Sequence, residues 1–195
     1  MALSFKKKLL SLAFTGLAAA AVLPLTAHSS LAAELKLGLF ADVSTLDPHF
    51  NNIAPNISLS SHLFDALVNV DATGKLIPGL AVSWKAVDPT TWEFKLRRGV
   101  KFHDGSDFTA EDVVFSLDRP ATLTNSPGPF TSYTKQIIGK EIVDPYTVRL
   151  KTAAPYGPLA LDVSTIFIVS KKAAQNATTE DFNSGKALIG TGPFK

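Results

Sequence analysis

Two stretches of the chain alternate apolar and polar side chains with a period of two, and they restrict the fold more than any other feature. Trp92, Phe94 and Leu96 are interleaved with Glu93, Lys95 and Arg97; Tyr146, Val148 and Leu150 are interleaved with Thr147, Arg149 and Lys151. Successive side chains of a strand point to opposite faces, so each stretch reads as a half-buried antiparallel strand. Turn signals precede both, Asp88-Pro89-Thr90 and Asp144-Pro145, and Ile137-Ile138 with Ile142-Val143 completes a hairpin with the second.

The remaining elements follow from spacing and punctuation. Leu35, Leu37 and Leu39 alternate in a first strand, and the polar segment Asp42 to His49, with its Asp47-Pro48 step, is the loop leaving it. From Pro55 the period lengthens: Ile57, Leu63, Phe64, Leu67 and Val68 fall on one face of a helix, with Ser58, Ser60, Ser61 and Asp65 away from it. Asp71 to Gly74 is a turn, and Pro78 to Trp84 leads toward a second region. Asp104-Gly105 is another turn, Thr109-Ala110-Glu111-Asp112 opens a helix carrying Val113, Val114 and Leu117, and Pro120 stops it. Pro127-Gly128-Pro129 is a loop, Ile166 to Val169 a short apolar strand, and Lys171 to Phe182 weakly helical.

The first 33 residues read as an export signal. Lys6-Lys7-Lys8 precedes an apolar run from Leu9 to Leu23 that is 15 residues long, and Ser30-Leu31-Ala32 offers a small-x-small cleavage site after Ala32. A membrane span needs roughly 20 apolar residues, so the run is read as a cleaved leader, residues 1–32. Removing its three lysines leaves 16 basic against 17 acidic residues, a net charge of −1 in place of +2. Such a near-neutral chain offers no electrostatic case for nucleic acid. The absence of cysteine rules out disulfides, thiolate-held metals, a thiol nucleophile and a lipid-modified cysteine anchor. The expected product is exported, soluble and stabilised by packing alone.

Six stretches in one order carry a resemblance: Thr45-Leu46-Asp47-Pro48-His49; Leu63 to Val68; Ile77 to Ala81 with Trp84; Trp92 to Gly105; Thr109 to Ser116; and Gly190-Thr191-Gly192-Pro193-Phe194. Behind an export signal, the chain resembles the N-terminal part of a bacterial ABC-transporter solute-binding protein, family 5, the peptide, opine and nickel class. The resemblance implies an α/β, type II periplasmic-binding-protein-like fold made of two lobes that close on a ligand. It places residues 33–75 in the first segment of lobe I, 76–186 in an accessory α+β subdomain, and 187–195 at a truncated return to lobe I, with the second lobe missing. It further implies a non-catalytic periplasmic receptor, a monomer when full length, that captures a peptide or similar small solute and delivers it to a membrane permease. No cofactor or metal is implied.

Ligands of open α/β sheets lie beyond the carboxyl ends of strands, which directs attention to the loop after the first strand. In peptide-binding relatives the chain shortly after Asp-Pro makes main-chain contacts to the ligand, and the resemblance places these at Asn51, Asn52, Ile53 and Ala54, with Ser44 and Leu46 upstream. Some relatives carry a carboxylate in this stretch; Asn52 here weakens the case for a cationic ligand contact. The resemblance also puts an aromatic at the pocket rim, for which Phe130 is the candidate. Asp47 reads as a turn or helix cap, and His103-Asp104-Gly105-Ser106-Asp107 as a turn with too few ligands, too close in sequence, for a metal. His49 and His62 flank the candidate loop.

Two other functions are weighed. An exported hydrolase rests only on scattered Ser, His and Asp, since the chain has no Gly-x-Ser-x-Gly elbow and no His-Glu-x-x-His. A truncated, non-binding interaction domain would follow if the short chain were complete, because one wall of a cleft binds poorly.

Overall fold

The computed structural model describes Gly38 and residues 40–195. The expected export signal and most of the strand expected at Leu35–Phe40 lie outside the described residues. From Phe40 the chain runs without regular structure to α1 (Ala54–Leu63), then through the small hairpin β1 (Val68–Val70) and β2 (Leu76–Pro78) into β3 (Ala81–Asp88) and β4 (Thr91–Leu96). There follow α2 (Ala110–Asp118), a 3-10 turn at Arg119–Thr122, α3 (Thr131–Thr134), β5 (Ile137–Asp144), β6 (Thr147–Thr152), and the short helices α4 (Leu159–Val163), α5 (Lys171–Ala174) and α6 (Thr179–Asn183).

The two alternating stretches are the central strands of a four-stranded antiparallel sheet ordered β3-β4-β6-β5. Trp92 pairs with Leu150 and Phe94 with Val148 on one face, while Glu93 pairs with Arg149 and Thr91 with Lys151 on the other. The apolar face packs on Val113 and Leu117 of α2 together with Phe102 and Phe108, in one core cluster. Across the opposite face the register lines up Lys85, Glu93, Arg149 and Glu141 in alternating sign. Arg149 bridges to Glu93 at 2.9 Å and to Glu141 at 3.9 Å. Such partly exposed pairs add only about 0–1 kcal/mol each, but a one-residue slip would set Glu93 opposite Val148 or Leu150 and turn the charged row toward the apolar face, so the alternation favours this register. Both hairpin turns are closed by aspartates: Asp88 Oδ1 accepts the Thr90 N–H and Asp144 Oδ1 the Tyr146 N–H.

Helix α2 begins where expected. The Thr109 N–H donates to Asp112 Oδ2 at 2.9 Å and Thr109 Oγ1 accepts the Glu111 N–H, leaving Asp112 Oδ1 to accept the Lys171 N–H and join the starts of α2 and α5. Pro120, which has no N–H to donate, sits inside the 3-10 turn that ends the helix.

The structure departs from four expectations. Helix α1 ends at Leu63, and Val68 begins β1; the apolar run Leu63–Val68 mimics a helical face because extended chain passing through a core is buried on all sides. Ser60, expected on the outer face, is 3% exposed, lying at helical spacing from the buried Asn56 and Leu63. Ile166–Val169 is fully buried but forms a single bridge, Phe167 to Ala66, and no strand. Side chains take its ladder positions: the Phe167 carbonyl accepts from His49 Nε2 and the Val169 N–H donates to Ser116 Oγ. Lys171–Phe182 contains two helices separated by Gln175–Thr178, each started by its own cap, Ser170 and Thr178.

The C-terminal Gly-Thr-Gly-Pro-Phe segment lies against the end of α1. Gly192 N–H donates to the Leu63 carbonyl and Phe194 N–H to the His62 carbonyl, both at 3.1 Å. His103 clasps the same segment, its Nε2 2.8 Å from the Gly192 carbonyl and its Nδ1 accepting the Gly190 N–H. The approach is so close that a Cβ on Gly190 would sit 1.9 Å from the Leu63 carbonyl oxygen, and one on Gly192 2.6 Å from that of His62. Gly190→Ala is therefore expected to lower the unfolding free energy by about 1–3 kcal/mol, as overpacking does. Gly157→Ala, where a Cβ meets nothing within 4 Å, is expected to be neutral or slightly stabilising. Denaturant melts of both variants check this.

Candidate functional site

The loop Ser44–Ala54 is built around one buried ion pair. Asp47 is short and follows an extended stretch, so its carboxylate can fold back on its own backbone, and Oδ1 accepts the His49 N–H at 3.0 Å. The sequence reading of Asp47 as a turn cap holds, but the carboxylate also receives both guanidinium nitrogens of Arg119, Nη1 to Oδ1 at 2.6 Å and Nη2 to Oδ2 at 2.7 Å. The Asp47 side chain is 0% exposed and that of Arg119 3%. Thr179 Oγ1 donates to Oδ2, and the Phe182 ring covers the guanidinium at 4.5 Å. Bidentate geometry with every lone pair engaged is what allows two charges to leave water.

His49 completes the cluster. Its Nε2 lies 2.8 Å from the Phe167 carbonyl and its Nδ1 3.3 Å from Arg119 Nη1. Both partners are satisfied when Nε2 carries the proton and Nδ1 accepts, the neutral tautomer. Burial and the adjacent Arg119 charge push the imidazole down to about 4, Asp47 opposing the shift. For Asp47, burial pushes the carboxyl up, but the Arg119 bonds and charge outweigh it and hold it below its usual value.

The candidate residues take distinct places around this anchor. Leu46 N–H donates to Asn183 Oδ1 at 2.9 Å, which ties the loop to α6. Ser44 Oγ accepts from Asn51 Nδ2 and Asn56 Nδ2, each at 3.0 Å, so the side chains of Ser44 and Asn51 are engaged within the loop and with α1. Asn52 N–H donates to the Gly128 carbonyl at 2.8 Å and its carboxamide contacts Tyr133 Oη at 3.3 Å. Ile53 and Ala54 are exposed at the start of α1, where Ile53 supplies no side-chain cap. The structure thus gathers Ser44, Asn51, Asn52, Ile53 and Ala54 at one end of α1, with Leu46 on the side facing α6.

Phe130 is corrected. It is 1% exposed, packed edge-on to His49 at 6.4 Å, and it belongs to the core and to no rim. The reason is position: it is the N-cap of α3 with its ring turned to the buried His49, and the aromatic beside the loop is Tyr133, one turn further on. Sequence reasoning also missed Arg119, Thr179 and Asn183. Nothing local marks them, because their partners lie 72 to 138 residues away in sequence. Asp104 forms a turn, accepting from Ser106 N–H at 3.0 Å, and Lys172 lies 3.2 Å from its other oxygen. Among the described residues no group of three or more His, Asp or Glu side chains is placed to hold a metal ion.

The cluster gives stability a pH dependence. Between about pH 6.5 and 4 the unfolded chain binds a proton at His49 that the folded chain does not, so the contribution is complete above that window and is lost as pH falls through it. Asp47 adds a loss of the same sign at lower pH. Stability measured from pH 7 to 4 is expected to drop by on the order of a few kcal/mol, and His49→Gln to flatten that slope. Arg119→Met, which strands a buried carboxylate, is expected to cost about 3–5 kcal/mol at pH 7.

Residues 75–195, well over half the chain, match the family described as bacterial extracellular solute-binding proteins, family 5, middle. The periplasmic oligopeptide-binding protein OppA of Escherichia coli K12 is 38% identical over 93 residues, covering 48% of this chain and 17% of OppA. The glutathione-binding protein GsiB of E. coli O1:K1 is 29% identical over 167 residues, covering 84% of this chain and 32% of GsiB. The oligopeptide-binding protein AppA of Bacillus subtilis, solved with a nonapeptide, superposes with a TM-score of 0.70 at 27% identity, over 79% of this chain and 32% of AppA. The chain spans about a third or less of the length of these relatives, and its described elements are part of a type II periplasmic-binding-protein fold. It belongs to the bacterial extracellular solute-binding proteins of family 5.

Proposed function

We propose that the chain forms part of the solute-binding component of an ABC importer in the periplasm, capturing a peptide or similar small solute and delivering it to the membrane permease. Family membership carries the reading, since this family is one of solute-binding proteins and not of enzymes. The ligands named for three of its relatives, an oligopeptide for OppA and AppA and glutathione for GsiB, are peptidic, whereas the solved NikZ and MoaA hold Ni(L-His) and mannopinic acid. Among the described residues no helix is long and apolar enough to cross a membrane.

Ligand contact falls on Asn51, Asn52, Ile53 and Ala54, with Ser44 and Leu46 holding the loop from behind. In support, Ile53 and Ala54 are exposed and Asn51 and Asn52 half-buried at the N-terminal end of α1, while Ser44 Oγ accepts from Asn51 and Asn56 and so braces the loop. Residues 33–75 are assigned to the first segment of lobe I, 76–186 to the accessory subdomain and 187–195 to the return to lobe I. The packing of Gly190–Phe194 on the end of α1 supports that return. Closure of a second wall over the loop would exclude water and create the form the permease recognises.

Uptake of labelled tripeptides and oligopeptides by the native bacterium tests the reading. Deleting the gene is expected to abolish uptake of at least one peptide class while leaving extracellular peptide hydrolysis unchanged. Unchanged uptake with reduced hydrolysis would overturn it in favour of an exported hydrolase.

A further inference from the structure

On the reading that the Ser44–Ala54 loop meets the ligand, we propose that Asn52 and Tyr133 form a neutral donor–acceptor pair that selects an uncharged amide group, with Tyr133 as a specificity-determining residue. The pair is held from two directions. The Asn52 N–H bonds to the Gly128 carbonyl, Ser126 Oγ donates to the Phe50 carbonyl, and Gly128 lies so close that a Cβ on it would sit 2.7 Å from Asn51 Oδ1. Tyr133 stands one helical turn beyond Phe130, its ring tilted at 46° to the buried Phe130 ring with centroids 6.4 Å apart, so core packing aims the phenol at the loop. Its Oη lies 3.3 Å from Asn52 Nδ2, and both residues are half-buried beside the exposed Ile53 and Ala54.

The chemistry of the pair does not depend on which way the carboxamide is turned. With Asn52 Nδ2 donating to Tyr133 Oη, the hydroxyl proton and Asn52 Oδ1 are left over; with the amide reversed, the Oη lone pair and the Nδ2 protons are left over. Either state offers one donor and one acceptor side by side, the complement of an amide C=O and N–H. The carboxylate nearest in the chain, Asp47, is buried and bound by Arg119, so a cationic ligand group at the pair would lose water without gaining that counter-charge, and the pair itself carries no charge to receive an anion. An amide loses little and gains two hydrogen bonds.

Nuclear magnetic resonance titration of the full chain tests this, using N-acetylalanine N′-methylamide as neutral probe, acetate and methylammonium as charged probes, and trialanine as peptide. The neutral amide is expected to shift the Asn52 carboxamide and the Ile53 amide where the charged probes do not. Tyr133→Phe, which keeps the ring, is expected to weaken that binding about three- to tenfold with an unchanged melting temperature, the loss of one hydrogen bond. Equal binding by Tyr133→Phe, or acetate binding as strongly as the amide, would overturn the inference and leave the proposed function standing. If neither trialanine nor the amide shifts any residue of 44–54, the assignment of this loop to the ligand falls as well.

Discussion

A carboxylate and a guanidinium withdrawn from water at the centre of the described fold, Asp47 and Arg119, decide the path of everything around them. Taking such ions into the interior costs several kcal/mol each, and only complete hydrogen bonding offsets it. Completion here needs four separate segments: the loop supplies Asp47 and His49, the end of α2 supplies Arg119, α6 supplies Thr179, and the Ile166–Val169 run supplies a carbonyl for His49. A buried pair of this kind contributes little net stability over an apolar substitute but penalises every arrangement that leaves one member alone. It therefore acts as a registration point, and the loop bearing the candidate ligand residues has one route through the fold.

The sheet supplies the rigid support for that point. Its apolar face, with Phe94 and Val148 at the middle, receives α2, and the length of α2 between Thr109 and Asp118 brings Arg119 to Asp47. The opposite face carries a row of alternating charges, with Glu93 buried at its middle between Lys85 and Arg149. At the far end, Gly190 and Gly192 let the last residues approach the end of α1 more closely than any side chain would permit. Loop, helix and C-terminal segment are thus tied together by contacts that tolerate little change in size.

What could be read from the sequence alone was local. The strands around Phe94 and Val148 declared themselves by alternation, α2 by the Thr109 cap, and the turns at Asp71, Asp88, Asp104 and Asp144 by residues that bond their own backbone. Misreadings arose where tertiary burial imitates periodicity. Leu63 to Val68 looked helical and Ile166 to Val169 looked like a strand because both run through the core, where neighbouring positions are buried together and, Asp65 apart, apolar, so the spacing no longer reports the backbone. For the candidate loop, position in the chain was legible and partners were not: Asp47 read as a cap, but its partner lies 72 residues on, in a segment marked only by a helix-ending proline. Phe130 and Tyr133 sit three apart on one short helix, and which of them faces the loop is set by packing against His49 that no local pattern encodes.

The buried pair is the cause of the loop's order, and amide hydrogen exchange tests that dependence most directly. In the unaltered chain the N–H groups of Leu46, His49 and Asn52, bonded to Asn183, Asp47 and Gly128, are predicted to exchange nearly as slowly as those of β4 and β6. In Arg119→Met these three are predicted to lose protection first, while β4 and β6 keep more of theirs. Fast exchange of the loop amides in the unaltered chain, or a uniform loss across loop and sheet in the variant, would contradict it.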